Sequence, residues 1–283
     1  MVTEASARGL HVKGVGVGLP GVVNRETGSM VHFGSNHVRE FAGVPLAQRI
    51  ETETGLPAWV ENDANALALA EWTFGAARNA GSMVLLAIGT EIGGAILVGD
   101  ALVRGHSGYG GEIGHVPIVR NGPRCICGGR GCVGAYIGGR VMARTAQRRA
   151  VHARSNLVAM AGGEPRGITA EMVFEAARLA DPLARSLVDQ ACEALAVLLA
   201  VVVNGIDPEV IVVTGGVATS LEPFRDEILS RAARYAYAMP LARMRFEIVS
   251  GDKSRTVRGG AALVLYELRR QMPTYNAATR EGV

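Results

Sequence analysis

Three cysteines and one histidine form the clearest chemical pattern in the sequence. They follow the spacing His115-x9-Cys125-x-Cys127-x4-Cys132. One imidazole and three thiolates complete a tetrahedral shell for zinc, and a closed shell leaves no position for a substrate, so such an ion would be structural. Free or disulfide-bonded cysteines are the alternative. Cys125 and Cys127 are too close in sequence to bridge comfortably, and the spacing therefore predicts a zinc site.

A second polar group, Glu61-Asn62-Asp63, separates a short apolar run from an Ala- and Leu-rich segment. The pattern places Asp63 at a strand-to-helix junction, either as the N-cap of the helix or just before it. A carboxylate in that place can take the proton of an alcohol as its oxygen attacks phosphorus. The alternative is that Asp63 only caps the helix.

Glu112 and His115 stand three residues apart around Ile113-Gly114. A carboxylate and an imidazole each fix the direction of a hydrogen bond, so the two side chains are suited to a polyhydroxyl ligand. A metal ion occupies only one ring nitrogen, so His115 can serve the metal and the ligand together.

Two Gly-rich turns follow apolar strands, at Gly89–Gly94 and at Thr214-Gly215-Gly216. Either turn could present backbone amides to a phosphate group. A tight turn without a ligand is the alternative for both, because short glycine motifs are common.

The alternation of strand and helix patterns predicts an α/β protein. A length of 283 residues allows one large domain or two smaller ones, and the hydrophobic content of 48% is ample for a core. The longest apolar stretch, Ala194 to Val203, is about half of a membrane span and indicates a buried helix. Cys192, in the same helical pattern, is predicted to lie in the core.

The composition also indicates the cellular compartment of the protein and the kinds of partner that it binds. The N-terminus has no secretory pattern and the four cysteines do not form a disulfide framework, which predicts a cytoplasmic protein. A net charge of +3 is small for this length and does not indicate a protein that binds nucleic acid.

Together these segments resemble the ROK family, which contains repressors and sugar kinases. The resemblance runs in order through Leu265 and rests on VGVGLPGVVNRETG, GSNH, ENDANALALAEW, GTEIGGAILVGDALVRG, GYGGEIGH, CICGGRGC and VIVVTGGV. It implies the actin-like ATPase (ribonuclease H-like) fold, with a cleft between two lobes. The implied lobes are residues 1–105 with 254–283, and residues 106–253, because the final helix of the family usually returns to the first lobe.

The resemblance also implies an ATP-dependent kinase that phosphorylates a hydroxyl of glucose or a related hexose. Asp63 would be the catalytic base. The implied sugar ligands are Asn36, Asn62, Asp63, Glu112 and His115. ATP with Mg²⁺ would be bound at Gly89, Thr90, Thr214, Gly215 and Gly216. Structural Zn²⁺ would be held by His115, Cys125, Cys127 and Cys132, and a homodimer is expected from the family.

Three departures from the family pattern qualify this expectation. The opening D-x-G-G-T segment, which contacts ATP phosphates, is absent from the sequence, so the first lobe is expected to be N-terminally truncated. Glu91 stands where the family has glycine, and its charge would repel a triphosphate. Gly134 stands where the family has a sugar-binding glutamate, which implies weaker binding or a different sugar.

The departures leave other functions open. One is a catalytically impaired sugar-sensing or regulatory protein without the DNA-binding domain of the family's repressors. Another is a kinase for a modified sugar, such as an amino sugar or a cyclitol. A non-functional truncated product is a third.

Overall fold

The computed structural model describes residues 2–32, 42–251 and 253–271. Backbone contacts divide the chain into two compact units. The first combines Met1–Arg78 and His106–Tyr109 with the segment from Lys253 onward, and the second combines Asn79–Gly105 with Gly110–Asp252. The C-terminal helix thus groups with the N-terminal segment, whereas the lobe boundary expected at residue 105 differs from the division after Arg78.

The first unit is built on two parallel strands flanked by helices. Strand β1 pairs with β4, β2 pairs with β3 in an antiparallel hairpin, and helix α12 packs against both α3 and β1. The elements are α1 (Val2–Ala7), β1 (Val15–Leu19), β2 (Val22–Asn24), β3 (Ser29–His32), α2 (Leu46–Thr54), β4 (Ala58–Asn62), α3 (Asp63–Phe74) and α12 (Lys253–Gln271).

Close packing of α12 on β1 depends on a pair of glycines. A Cβ atom built on Gly16 would lie 2.0 Å from the carbonyl oxygen of Gly260, and one built on Gly260 would lie 2.5 Å from the carbonyl oxygen of Gly16. Any side chain at either position would therefore push the helix away from the strand.

The second unit contains a five-stranded sheet in the order β7-β6-β5-β8-β9. Strand β5 is parallel to β8 and antiparallel to β6, and β8 is parallel to β9. The elements are β5 (Ser82–Ile88), β6 (Ile92–Val98), β7 (Ala101–Leu102), α4 (Gly134–Ile137), α5 (Gly139–Ala150), α6 (Leu157–Met160), α7 (Ala170–Arg178), α8 (Pro182–Ile206), β8 (Val210–Thr214), α9 (Ala218–Leu221), α10 (Arg225–Ala232), α11 (Ala238–Arg243) and β9 (Arg245–Ile248).

Helix α8 runs through the core of the second unit. Asp181 caps its N-terminus by accepting a hydrogen bond from the amide of Ala184, and Pro182 occupies the first turn. Within the described ranges this is the one helix long and apolar enough to cross a membrane, and 67% of its most apolar window is buried, as in the core helix of a soluble protein. Cys192 lies on this helix with no exposed surface, as predicted, and burial raises the pKa of its thiol to about 12.

Two helical segments differ from what the sequence pattern indicates. Helix α5 was not predicted, because its Gly-rich start continues the Gly-rich loop before it. The sequence pattern from Leu221 to Ala238 predicts a single helix, but in the structure this segment is interrupted twice, at a 3-10 turn over Glu222–Phe224 and after Ala232. Pro223 in that turn cannot continue a regular helical hydrogen-bond ladder.

Candidate functional site

In the first unit, the junction between β4 and α3 presents Asp63 at the surface. Asn62, and not Asp63, is the N-cap: its side-chain oxygen accepts a hydrogen bond from the amide of Asn65 at 3.1 Å. The expectation that Asp63 is the cap or precedes it is therefore wrong, since Asp63 is the first residue of the helix. Its Oδ1 accepts from the amide of Ala64 at 2.8 Å, and its side chain is exposed.

Both the oxygen and the nitrogen of the Asn62 side-chain amide form hydrogen bonds within the protein. Besides capping the helix, its Nδ2 donates to the carbonyl oxygen of Gly21 at 3.1 Å. An amide nitrogen has two hydrogens and an amide oxygen two lone pairs, so one donor and one acceptor site remain for a ligand. The predicted sugar-binding role of Asn62 stays a prediction.

Buried Glu61 supports the junction and was missed as a positioning residue in the sequence. Its Oε1 accepts from the amide of Asn62 at 2.9 Å and from Nδ2 of Asn65 at 3.0 Å, and only 5% of the residue is exposed. One carboxylate thus fixes the last strand residue and the first helical turn. A sequence signal existed, because a carboxylate at the apolar end of a strand needs partners.

In the second unit, the four predicted metal ligands converge. One ligand atom from each of His115, Cys125, Cys127 and Cys132 lies within 4.8 Å of all the others. The Sγ atoms of Cys127 and Cys132 are 3.8 Å apart, and Nδ1 of His115 is 3.4 Å from Sγ of Cys125. Thiolates bound at about 2.3 Å to a tetrahedral zinc ion are separated by about 3.8 Å, so this donor set fits structural zinc.

The backbone around the ligands forms a compact loop that glycine makes possible. The amide of Cys125 donates to the carbonyl of Gly129, and the amide of Ile118 donates to the carbonyl of Gly131, both at 2.9 Å. Gly131 has a φ of +70°, and a Cβ there would lie 1.8 Å from the carbonyl oxygen of Val119. Without metal, burial and the neighbouring thiols raise the pKa of Cys132 to about 12.

The two ring nitrogens of His115 face different partners. While Nδ1 points toward the thiols, Nε2 lies 3.9 Å from Oε2 of Glu112. Glu112 is the N-cap of the short 3-10 turn Ile113–His115, and this turn brings its side chain close to the imidazole of His115. The geometry allows one nitrogen to bind metal while the other shares a polar ligand with Glu112.

The two Gly-rich turns lie next to each other in the second unit. Strands β5 and β8 are parallel, with Ala87 paired to Thr214, so Gly89 and Gly215 follow neighbouring strand ends. Ligands of α/β sheets bind at such carboxyl ends. A Cβ on Gly89 or on Gly216 would meet no atom within 4 Å, so packing does not require glycine at these positions. Glycine there would allow a ligand to approach the backbone closely.

Glu91 has a cationic partner that the sequence did not reveal. Nη1 of Arg140, in the first turn of α5, lies 3.4 Å from Oε1 of Glu91. The amides of Gly139 and Arg140 also donate to the carbonyls of Gly89 and Thr90, at 2.9 and 3.0 Å. Arg140 therefore offsets the negative charge expected to oppose a phosphate beside this turn.

The predicted site residues thus form groups within each unit. Asn62 and Asp63 are adjacent in the first. The second holds Glu112 with the metal ligands, and it also holds the paired turns with Gly89, Thr90, Thr214, Gly215 and Gly216. Asn36 lies outside the described residues.

Comparisons with known proteins show which family the chain resembles. The model of the ROK family matches residues 1–267. A glucokinase of Thermotoga maritima is 33% identical over 256 residues, which cover 88% of this chain and 78% of the relative. A ROK family glucokinase from Streptomyces griseus, solved with glucose and AMPPNP, superposes with a TM-score of 0.75 at 31% identity, covering 93% of this chain and 84% of that one.

Regulators of the family are also similar. A ROK family transcriptional regulator, a homologue of the E. coli MLC protein, superposes with a TM-score of 0.79 at 26% identity. The match covers 94% of this chain but 66% of the regulator. The α/β architecture shared with the ROK glucokinases is the actin-like ATPase fold, and the match over residues 1–267 shows that the chain belongs to the ROK family.

Proposed function

We propose that this protein is an ATP-dependent kinase that phosphorylates a hydroxyl of glucose or a related hexose. The observation that carries the proposal is the placement of Asp63: an exposed carboxylate at a strand-to-helix junction whose helix is already capped by Asn62. The similarity to glucokinases, one of them solved with glucose and AMPPNP, supports the same function.

In this proposal each group has a separate task. Asp63 accepts the proton of the attacking hydroxyl, while Asn36, Asn62, Glu112 and His115 bind the sugar. The turns after β5 and β8 bind ATP with Mg²⁺ through Gly89, Thr90, Thr214, Gly215 and Gly216. Zinc bound by His115 and the three cysteines would fix the imidazole and its loop, and a cytoplasmic homodimer remains the expected form of the protein.

A sugar-responsive regulator is the second candidate, and the similarity to a ROK transcriptional regulator is the specific observation in its favour. Such a protein needs the sugar-binding residues but no catalytic base. The two functions therefore differ in whether Asp63 is required as a catalytic base.

The deciding experiment is a coupled ATP-dependent assay against a panel of hexoses, with the wild-type chain and the variant Asp63→Asn. The variant keeps an oxygen for the Ala64 amide but loses the base. We expect hexose-dependent turnover in the wild type and a decrease of about 100- to 10,000-fold in kcat for the variant.

Asp226→Asn is the matched control, because Asp226 is also an exposed aspartate in the first turn of a helix. It should retain wild-type turnover. Full activity of Asp63→Asn would reject Asp63 as the base. Hexose binding by the wild type without turnover would favour the regulator.

A further inference from the structure

A pocket lies beside His115 within the second unit. Its volume is about 330 Å³, which falls in the range of small-molecule sites. It is lined by the Thr90–Ile92 turn, the start of α4, the first turns of α5 and the loop that carries Cys125. Because His115 lines this pocket, it adjoins the proposed sugar-binding residues.

The charged side chains that line the pocket are unbalanced. Three are guanidinium groups, from Arg124, Arg140 and Arg144, and one is a carboxylate, from Glu91. Arg140 pairs with that carboxylate at 3.4 Å. Among the described residues no acidic side chain pairs with Arg124 or Arg144, and both are exposed at the pocket. Two positive charges therefore remain for a ligand.

Apart from Glu91, no acidic side chain in the part of the chain that the structure describes lines the pocket. Gly134 contributes no side chain, and a Cβ there would lie 2.8 Å from Cγ2 of Ile92, so Ile92 fills the place of a side chain at this position. A neutral sugar can accept hydrogen bonds from the two guanidinium groups but leaves both positive charges uncompensated, and a cationic amino sugar would be repelled. A carboxylate or phosphate would form charge-assisted hydrogen bonds with them.

We infer that this pocket binds the acidic group of a monosaccharide that carries a carboxylate or a phosphate. The inference deepens the proposed function and rests on the proposed sugar-binding role of the site around His115. Arg144 and Arg124 contact the acidic group, while the Arg140–Glu91 pair holds the turn beside it. The preferred hexose is then an acidic derivative and not glucose itself.

Calorimetric titration of the full chain, without ATP, tests this inference. The probes are glucose, glucuronate, glucose 1-phosphate and inorganic phosphate. We expect at least one acidic sugar to bind about 10- to 100-fold more tightly than glucose and than inorganic phosphate. Arg144→Gln should remove most of this preference while leaving glucose binding unchanged.

Arg148→Gln is the matched control. Arg148 lies one turn further along α5, is exposed, and does not line the pocket. It should bind all four probes like the wild type. Equal affinity for glucose and both acidic sugars would overturn the inference, as would phosphate binding as tightly as those sugars, or an equal loss in both arginine variants.

Failure of this inference can be separated from failure of the proposed function. A chain that phosphorylates glucose but binds neither acidic sugar preferentially overturns only the pocket assignment. A chain that binds an acidic sugar through Arg144, yet phosphorylates none of the hexoses including glucuronate and glucose 1-phosphate, overturns only the kinase.

Discussion

At the scale of single residues, the carboxylate of Glu61 organises the junction that presents Asp63. It is buried and accepts hydrogen bonds from the amide of Asn62 and the side chain of Asn65. Removing it leaves the buried side-chain donor of Asn65 and the partly buried amide of Asn62 without this acceptor, and unsatisfied buried donors destabilise the folded state. We expect Glu61→Ala to lower the free energy of unfolding by about 2 kcal/mol or more, measured by urea denaturation.

Glu53→Ala is the control for this substitution, because Glu53 is an exposed glutamate on α2 in the same unit. Its effect should stay within about 0.5 kcal/mol. Equal effects of the two substitutions would show that the bonds of Glu61 do not stabilise the junction.

The zinc ligands allow a test by substitution and by pH. Cys127→Ser should abolish zinc binding measured by elemental analysis, whereas Cys192→Ala should retain it, since Cys192 lies in the core away from the four ligands. Without metal the pKa of the Cys132 thiol is raised to about 12, so zinc must displace its proton at every pH below that value. Binding is therefore favoured as the pH rises and weakened as it falls.

Chelator competition measures this pH dependence. The apparent zinc affinity should fall about tenfold per pH unit for each proton displaced as the pH is lowered from 8 to 6. An affinity that does not change over this range, or zinc retained by Cys127→Ser, would contradict the assignment of these ligands.

At the scale of elements, helices whose ends are marked by nearby residues could be predicted, whereas a helix whose end is held by a distant part of the chain could not. The sequence from Leu46 to Thr54, closed by Gly55, predicts a helix with the observed bounds, because Gly55 readily adopts the left-handed conformation that ends it. Helix α5 was not, since its N-terminal amides are satisfied by the carbonyls of Gly89 and Thr90, about 50 residues earlier in the chain. Partners so distant leave no local signal.

The packing of α12 on β1 gives a prediction of its own. Gly260→Ala improves helix propensity but forces a Cβ toward the carbonyl of Gly16, at a built distance of 2.5 Å. Overpacking should outweigh propensity, and we expect a loss of about 2 kcal/mol in the free energy of unfolding. Gly205→Ala on α8 is the control, because a Cβ there meets no atom within 4 Å.

The control should be neutral or more stable by up to about 1 kcal/mol, since alanine favours helix over glycine. Denaturation curves of both variants provide the comparison. If Gly260→Ala is as stable as Gly205→Ala, then the close approach of α12 to β1 is not needed for stability.

At the scale of the whole molecule, the metal ligands could be predicted from the sequence, but the ion-pair partner of Glu91 could not. The ligands His115, Cys125, Cys127 and Cys132 are close in sequence, so their spacing alone indicated their convergence. The partner of Glu91 is Arg140, 49 positions away, and folding is needed to bring them together. The sequence predicted repulsion of a phosphate at Glu91, whereas the structure gives that charge a counterion.

This ion pair leads to a prediction about nucleotide binding by the full chain. A ligand that binds only the folded state, present at 100 times its Kd, stabilises that state by about 2.7 kcal/mol. With Arg140 offsetting Glu91, we expect a non-hydrolysable ATP analogue with Mg²⁺ to raise the Tm of the wild-type chain by about 5–10 °C at that concentration.

Arg140→Gln leaves Glu91 without its counterion, so the nucleotide-induced increase in Tm should become smaller. Arg149→Gln, at an exposed position in the last turn of α5, should keep the full increase. Thermal unfolding of the three proteins with and without nucleotide measures both effects. A wild-type chain that the nucleotide does not stabilise, while a hexose does, would exclude the kinase and support a sugar-responsive regulator.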